Sequence, residues 1–386
     1  MAVKVPITRP ALGDAEATEV VRVVRSGWIT QGPEVAAFEA EFAKAVGAKG
    51  AVAVSNCTVA LELALRVLGI GAGDDVVTVS HSFIATANAV VATGARPVFC
   101  DVDEATFGMD PRSLERSLTP RTKAILCVHQ IGMPCDLEGI LAVANAKGIP
   151  VIEDAACAIG SEVKVGGAFR RVGRPEGRLA CFSLHPRKIV TTGDGGMITT
   201  DDEALTKRLK LLRQHAMSVP DTVRHHSDKV VFEEYTEPAF NYRMTDLQAA
   251  VGRPQLARLD AIVAERRKLA DAYAAALADH PVLAPPREPE FARSNWQSYP
   301  IRLKDGAKVT QVAAMQSLMD AGVACKRGIS NAHQEPAYAG KSSWGMDPRG
   351  LGTSEKLRDT TILVPLFHGM TPAEQQLVID ALRSIA

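Results

Sequence analysis

From residue 51 onward, short apolar runs alternate with amphipathic helical stretches, and this alternation constrains the fold more than any other feature. Apolar runs fall at 51–54, 75–79, 96–100, 123–128 and 149–153. Helical patterns lie between most of them, at 57–69, 83–93 and 136–147. A strand that leads through a helix into another strand pairs in parallel with it, and the helix covers a face of the sheet. The expected fold is therefore α/β, with a mostly parallel sheet flanked by helices. Further runs at 179–182 and 196–200 extend the sheet, and a helix is expected from about 202 to 215. Ahead of the alternation, amphipathic helices are expected at 14–25 and 33–46, with Pro33 in the first turn of the second. The segment Ser26-Gly27-Trp28-Ile29-Thr30-Gln31-Gly32 between them is too glycine-rich to be helical.

Two stretches break the pattern. Residues 161–178 hold four glycines and the arginines Arg170, Arg171, Arg174 and Arg178, and are expected to form a surface loop or loose hairpin. Residues 216–240 are mixed and polar and are expected to be another excursion. A long helix is expected at 254–278. The prolines Pro281, Pro285, Pro286 and Pro289 then mark a boundary. Beyond it a smaller α+β unit is expected, with a strand near 297–303 and helices near 308–321 and 371–385. The expected division is a large domain at 1–253 and a smaller C-terminal domain at 254–386, joined by the long helix. At roughly 150 residues per domain, 386 residues fit two.

Composition removes several function classes. Lys plus Arg is 44 and Asp plus Glu is 44, so the chain lacks the basic excess of a general nucleic-acid binder. No apolar run approaches the eighteen or so residues of a membrane span. The opening Met-Ala-Val-Lys-Val-Pro has no apolar signal core. Seven cysteines, an odd number without a C-x-x-C pair, suit reduced thiols in a cytoplasmic protein. The first strand runs into Ser55-Asn56-Cys57-Thr58 and not G-x-G-x-x-G, which disfavours a dinucleotide fold. Gly340-Lys341-Ser342 has Glu335 where a phosphate loop needs its first glycine. No metal-binding pattern is present, and no metal is expected.

Four segments carry the chemistry. Val151-Ile152-Glu153-Asp154 is an apolar run ending in two acids, and Asp154 falls at the carboxyl end of a strand, where open α/β sheets bind ligands. Phe182-Ser183-Leu184-His185-Pro186-Arg187-Lys188 leads through Thr191 and Thr192 into a glycine-rich turn at Gly193, Gly195 and Gly196. A lysine in such a turn can form a Schiff base, and the small residues allow a flat ligand to approach the backbone. Ser55-Asn56-Cys57-Thr58 opens a helix, whose free N–H groups make an anion site. Asn241-Tyr242-Arg243-Met244-Thr245-Asp246 precedes another helix, with Thr245 as its expected N-cap. Together these supply what pyridoxal 5′-phosphate needs. The lysine holds the aldehyde, the acid keeps the ring nitrogen protonated, and the helix start receives the phosphate. Phe83 is the candidate for stacking on the ring.

At these residues the chain resembles the PLP-dependent nucleotide-sugar aminotransferases of the DegT/StrS type, which have fold type I. The resemblance spans nearly the whole chain. It includes Gly27-Trp28-Ile29-Thr30-Gln31-Gly32-Pro33, Glu153-Asp154-Ala155-Ala156, Ser183 to Gly196, Asn241-Tyr242-Arg243-Met244, His333-Gln334-Glu335-Pro336-Ala337-Tyr338 and Pro365-Leu366-Phe367-His368-Gly369-Met370-Thr371. It implies that Lys188 binds the cofactor covalently and shuttles the proton, and that Asp154 pairs with the pyridine nitrogen. It implies that Phe83 stacks on the ring and that Thr58, the Cys57 backbone and Ser183 hold the phosphate. Asn241 would reach the cofactor of a neighbouring subunit, making the active unit a homodimer with a shared site. Trp28, Thr30, His185, His333 and Tyr338 would border the substrates. Arg243 is a candidate for the donor carboxylate by its chemistry alone.

The chain departs from the family pattern at three places. Cys157 stands where Gln or His is common and the cofactor is touched. Cys57 replaces a common Gly, and His129-Gln130-Ile131-Gly132 replaces a more usual His-Leu-Tyr-Gly. The arginines of 161–178 are expected to meet an acidic acceptor such as a nucleotide diphosphate. The resemblance implies a ping-pong transfer of an amino group, by way of pyridoxamine 5′-phosphate, from glutamate or glutamine to a keto group of a nucleotide-linked sugar. Such a reaction serves cell-surface polysaccharide or antibiotic biosynthesis. The alternatives are a free keto-cyclitol acceptor or a pyridoxamine-phosphate-dependent sugar dehydratase, a branch that carries His where this chain has Lys188. An amino-acid aminotransferase and a degenerate binding protein are more distant readings.

Overall fold

The computed structural model describes residues 3–219, 224, 228–340 and 343–386. Part of the polar excursion at 216–240, and Lys341 and Ser342 of the Gly-Lys-Ser run, lie outside the described residues. Helices α1 (Asp14–Ser26) and α2 (Pro33–Val46) lead into strand β1 (Gly50–Val54) and helix α3 (Cys57–Val67). The alternation continues through β2 (Asp75–Val79), α4 (Ala85–Ala92), β3 (Arg96–Cys100), α5 (Pro111–Ser117), β4 (Thr122–Val128), α6 (Leu137–Lys147) and β5 (Val151–Asp154). A hairpin of β6 (Glu162–Val165) and β7 (Ala168–Arg171) follows, then β8 (Leu179–Ser183), β9 (Gly196–Thr200) and α7 (Glu203–Leu212).

The large sheet has the order β1-β9-β8-β5-β4-β2-β3, and β14 (Gly345–Met346) adds to β3 at its edge. All neighbours pair in parallel except β9, which is antiparallel to both β1 and β8. The cause is the connection 184–195, which folds into turns and carries no crossover helix. Only a hairpin return can join two neighbouring strands that way. Both faces of the sheet are covered, which is why its strands are continuous apolar runs. Val77 and Ile125 enter one core with Phe38, Phe42 and Phe182. Their neighbours Val76 and Leu126 enter the other with Leu61, Leu65 and Ile152.

The expected helix at 254–278 is two helices, α8 (Asp246–Ala257) and α9 (Leu259–Ala276). They part at Arg258, which leaves helical geometry and gives its guanidinium to Glu16 and the Ala11 carbonyl. Pro254 inside α8 further weakens its last turn by removing a backbone donor. The remaining strands are β10 (Leu283–Ala284), β11 (Ala292–Arg293), β12 (Tyr299–Leu303), β13 (Lys326–Arg327) and β15 (Thr361–Val364). Of these, β10-β12-β15-β13 form a second sheet, and β11 pairs with the β6–β7 hairpin. Helices α10 (Gln311–Asp320), α11 (Gly352–Thr360) and α12 (Pro372–Arg383) complete the chain. A separate core of Tyr273, Tyr299, Leu318, Phe367 and Leu382 packs this second sheet.

Candidate active site

The site grows from the carboxyl end of β5. Asp154 closes that strand, between Val128 of β4 and Cys181 of β8, and is 4% exposed. A charge there needs partners. Thr86 donates its hydroxyl to Asp154 Oδ2 at 2.8 Å, and the Ala156 N–H donates to Oδ1 at 3.1 Å. Ser82 backs Thr86, with hydroxyl oxygens 2.8 Å apart. Burial still dominates and pushes the Asp154 carboxyl above the ordinary range, against these bonds and the Lys188 charge.

Lys188 stands on the connection between β8 and β9. The loop is knotted onto itself: Lys188 N–H donates to His185 O at 2.8 Å, and Leu184 exchanges bonds with Gly195 and Thr192 at 2.9 and 3.0 Å. Thr191 adds its hydroxyl to Leu184 O at 2.9 Å, and Gly193 turns the chain at φ +85°. Lys188 Nζ reaches Cys157 Sγ at 3.0 Å. Burial works to lower the Lys188 amine, but Cys157, Cys57 and Asp154 outweigh it and hold the amine above its usual value. These four side chains form one electrostatic group.

The helix start of α3 supplies the third part. Asn56 caps it through the Val59 N–H at 3.0 Å. The first N–H groups of a helix have no acceptor of their own within it. Thr58 is exposed at this end, and Ser183, half-buried, pairs with Gly196 across the β8–β9 ladder. Gly196 packs against the turn itself: a Cβ there would lie 2.5 Å from Asn56 C and O and 2.9 Å from Cys57 N. A buried acid, an amine on a rigid loop and an anion-binding helix start bordered by glycine fit the chemistry of pyridoxal phosphate.

Other expected site residues sit around this group. Phe83 is 75% exposed on the segment before α4. His185 is exposed beside the lysine loop, and its Nδ1 accepts the Arg187 N–H at 3.2 Å. His333 Nδ1 lies 2.6 Å from Ser80 Oγ just past β2, and its Nε2 lies 3.1 Å from Glu355. Tyr338 is buried against Phe99, with its hydroxyl on Asn88 of α4 at 2.8 Å. Asn241 is exposed and bridges to Gln214, and Arg243 is half-buried two residues on. Trp28 and Thr30 belong to a segment held by Asp246. That carboxylate accepts the N–H groups of Gly32, Glu34 and Val35 at 2.8, 3.2 and 3.0 Å, and its own N–H donates to Thr30 O. Thr86, Ser82 and Asp246 were not singled out by sequence, although Ser82 and Thr86 flank the candidate Phe83 and Asp246 closes the segment from Asn241.

Three of the four arginines of 161–178 pair within the chain. Arg170 pairs with Glu176 at 2.6 Å, Arg171 with Asp260 at 2.5 Å and Arg178 with Asp202 at 3.0 Å. Arg170, Arg171 and Arg174 line a cleft of about 1390 Å³ bordered by α1, α2, α8 and α9, and neither Lys188 nor Asp154 lines it. Carboxylates of the same chain thus take up three of the four charges.

Known proteins match this arrangement. The DegT/DnrJ/EryC1/StrS aminotransferase family matches residues 10–383. The spore coat polysaccharide biosynthesis protein SpsC of Bacillus subtilis is 38% identical over 382 residues, covering 98% of this chain and 96% of SpsC. The aminotransferase TlmJ from Streptoalloteichus hindustanus superposes with a TM-score of 0.88 at 33% identity, covering 98% of each chain. DesV from S. venezuelae does so with a TM-score of 0.87 at 31% identity, covering 99% of this chain and 98% of its own. The similarity extends over nearly the full length, in sequence and in fold: the chain belongs to the DegT/DnrJ/EryC1/StrS aminotransferase family, pyridoxal-phosphate-dependent enzymes of fold type I.

Proposed function

We propose that the protein transfers an amino group from glutamate or glutamine to a keto group of a nucleotide-linked sugar. The observation that carries this reading is a buried Asp154 within electrostatic reach of the Lys188 amine, beside the α3 start against which Gly196 packs. When bound there, pyridoxal phosphate supplies an electron sink for the charge left as a proton leaves the donor Cα. Asp154 holds the proton at the ring nitrogen. Lys188 takes the donor's Cα proton and returns it at the cofactor's C4′, acting as general base and then general acid. The α3 start, with Thr58 and Ser183, receives the phosphate, and Cys157 touches the cofactor beside Lys188. Phe83 covers the ring.

Trp28, Thr30, His185, His333 and Tyr338 border the substrates in this reading, and Arg243 meets the donor carboxylate. Asn241 and the exposed ring of Phe83 support a homodimer, in which a second subunit closes each site. The naming of a B. subtilis relative for spore coat polysaccharide biosynthesis supports a sugar amine destined for a surface polysaccharide. Seven free cysteines support work in the reducing cytoplasm. The division we propose is a large domain at 1–253 and a smaller one at 254–386, with α8 running across the boundary.

The test is a two-stage assay. Enzyme charged with L-glutamate and freed of excess donor is offered nucleotide-linked 3-keto and 4-keto hexoses and a free keto-cyclitol. The expected result is an amino sugar, identified by mass, from a nucleotide-linked acceptor. Product from the cyclitol alone would overturn the acceptor assignment.

A further inference from the structure

We propose that the segment Asn295-Trp296-Gln297 is a positioning strap that fixes the Lys188 amine against Cys157. It precedes β12 in the second half of the chain, yet it reaches both loops that carry the pair. Asn295 is fully buried, and its Nδ2 donates to the carbonyls of Cys157 and Ile159 at 2.9 and 2.8 Å. Its Oδ1 accepts the Gln297 N–H at 2.8 Å, so both ends of the amide are in use. Gln297 Nε2 then donates to the carbonyl of Arg187, the residue before Lys188, at 2.8 Å. One loop is held at Cys157 and the other at Arg187, and the two side chains meet at 3.0 Å.

Three costs are accepted to place this strap. Trp296 sits at φ +50°, a left-handed conformation that a bulky side chain rarely adopts. Arg266 is 5% exposed and pairs with carbonyls alone, giving Nε to Trp296 O at 2.9 Å and Nη2 to Gln297 O at 2.7 Å and Leu366 O at 2.8 Å. Burial lowers this guanidinium to about 9. Gly132 faces the amide so closely that a Cβ would lie 2.0 Å from Asn295 Oδ1 and 3.0 Å from Gln297 N. The absence of a side chain at Gly132, the last residue of the 129–132 motif, thus leaves room for the strap. Ile131 O receives the Ser298 N–H at 3.2 Å, and Ser161 Oγ links the Asn295 N–H to Gly132 O at 3.0 and 2.7 Å. The Trp296 ring anchors the strap in the second core beside Tyr299, while Asn295 and Gln297 carry its bonds to the two loops.

The functional weight of this geometry rests on reading Lys188 as the amine that carries the cofactor. The contact itself can be tested without that reading. Ortho-phthalaldehyde joins an amine and a thiol that touch, forming a fluorescent isoindole with loss of two waters. Full-length protein stripped of cofactor is treated with it, and the adduct is mapped by peptide mass. The parent should give the Lys188–Cys157 adduct, and Cys157→Ser or Lys188→Met should abolish it. Asn295→Asp keeps the acceptor and drops the donors, whereas Gln297→Leu removes the exposed bond to Arg187 together with the acceptor of the Ser298 hydroxyl. With unchanged circular dichroism, both should lower the adduct yield roughly tenfold, because small misplacements of reacting groups are costly. Parent-like yields in folded Gln297→Leu, or no adduct in the parent, would overturn the strap. A normal adduct in a parent that shows no visible band with pyridoxal phosphate would spare the strap and sink the proposed function.

Discussion

Asp154 illustrates how one residue's environment sets both stability and chemistry. Its carboxyl is held above the ordinary value by burial, so the folded, cofactor-free chain keeps a proton there after the unfolded chain has lost it. The folded state then binds more protons, and stability falls as pH rises through the interval above about 3.9. Asp154→Asn should therefore raise the Tm of the cofactor-free protein relative to the parent, by roughly 2 °C at neutral pH. The gap should close toward pH 4, which a Tm series across pH reads directly. The same change should cut transamination on the order of 100-fold, because the proton at the ring nitrogen loses its counter-charge. Gly196 is a steric counterpart. Gly196→Ala should cost about 1–3 kcal/mol of stability by denaturant midpoint. It should also weaken cofactor binding, because the new methyl meets the Asn56–Cys57 turn. Lys188 and Asp154 could be named as candidates from sequence because each lies in a short local signature. Asn295 was not, because its partners are 134 to 138 residues away.

At the scale of elements, runs of the right period were enough to locate most strands and helices. Connectivity was harder to read. The reversal of β9 depends on the lysine loop lacking a helix, and the sequence pattern alone does not state how neighbouring strands pair. The break at Arg258 was likewise hidden, because the helical period runs through it while Glu16, far back in the chain, captures the guanidinium. Asp246 ties two such distant elements. It opens α8 and caps α2, satisfying three N–H groups that a helix start leaves open. Asp246→Ala should cost about 2 kcal/mol in urea unfolding, the upper range for a lost cap. Hydrogen exchange at residues 28–36 should rise, while α9 stays protected. Unchanged exchange there would show that another group holds the segment.

For the whole molecule, the expected α/β architecture with a second, smaller sheet is present, and its strand ends bring together residues far apart in sequence. Strand β14, from the second half, returns to the large sheet beside β3, so the two halves are interlaced. A shared site makes a further prediction. Lys188→Ala and Asn241→Asp proteins should each be nearly inactive. Mixed, dissociated and reassociated, they should recover up to about a quarter of parental activity, because a mixed dimer has one site with both native residues. No recovery, with mixed dimers confirmed by mass, would place both residues in the same subunit's site.

The central claim is that Lys188 holds pyridoxal phosphate and releases it to carry an amino group. The most direct measurement is the absorption spectrum of the purified protein with pyridoxal phosphate, before and after L-glutamate. The account predicts a visible band from the lysine-bound cofactor that gives way to the ultraviolet band of pyridoxamine phosphate, and that is absent from Lys188→Ala. A visible band that persists in Lys188→Ala, or none in the parent, would contradict it.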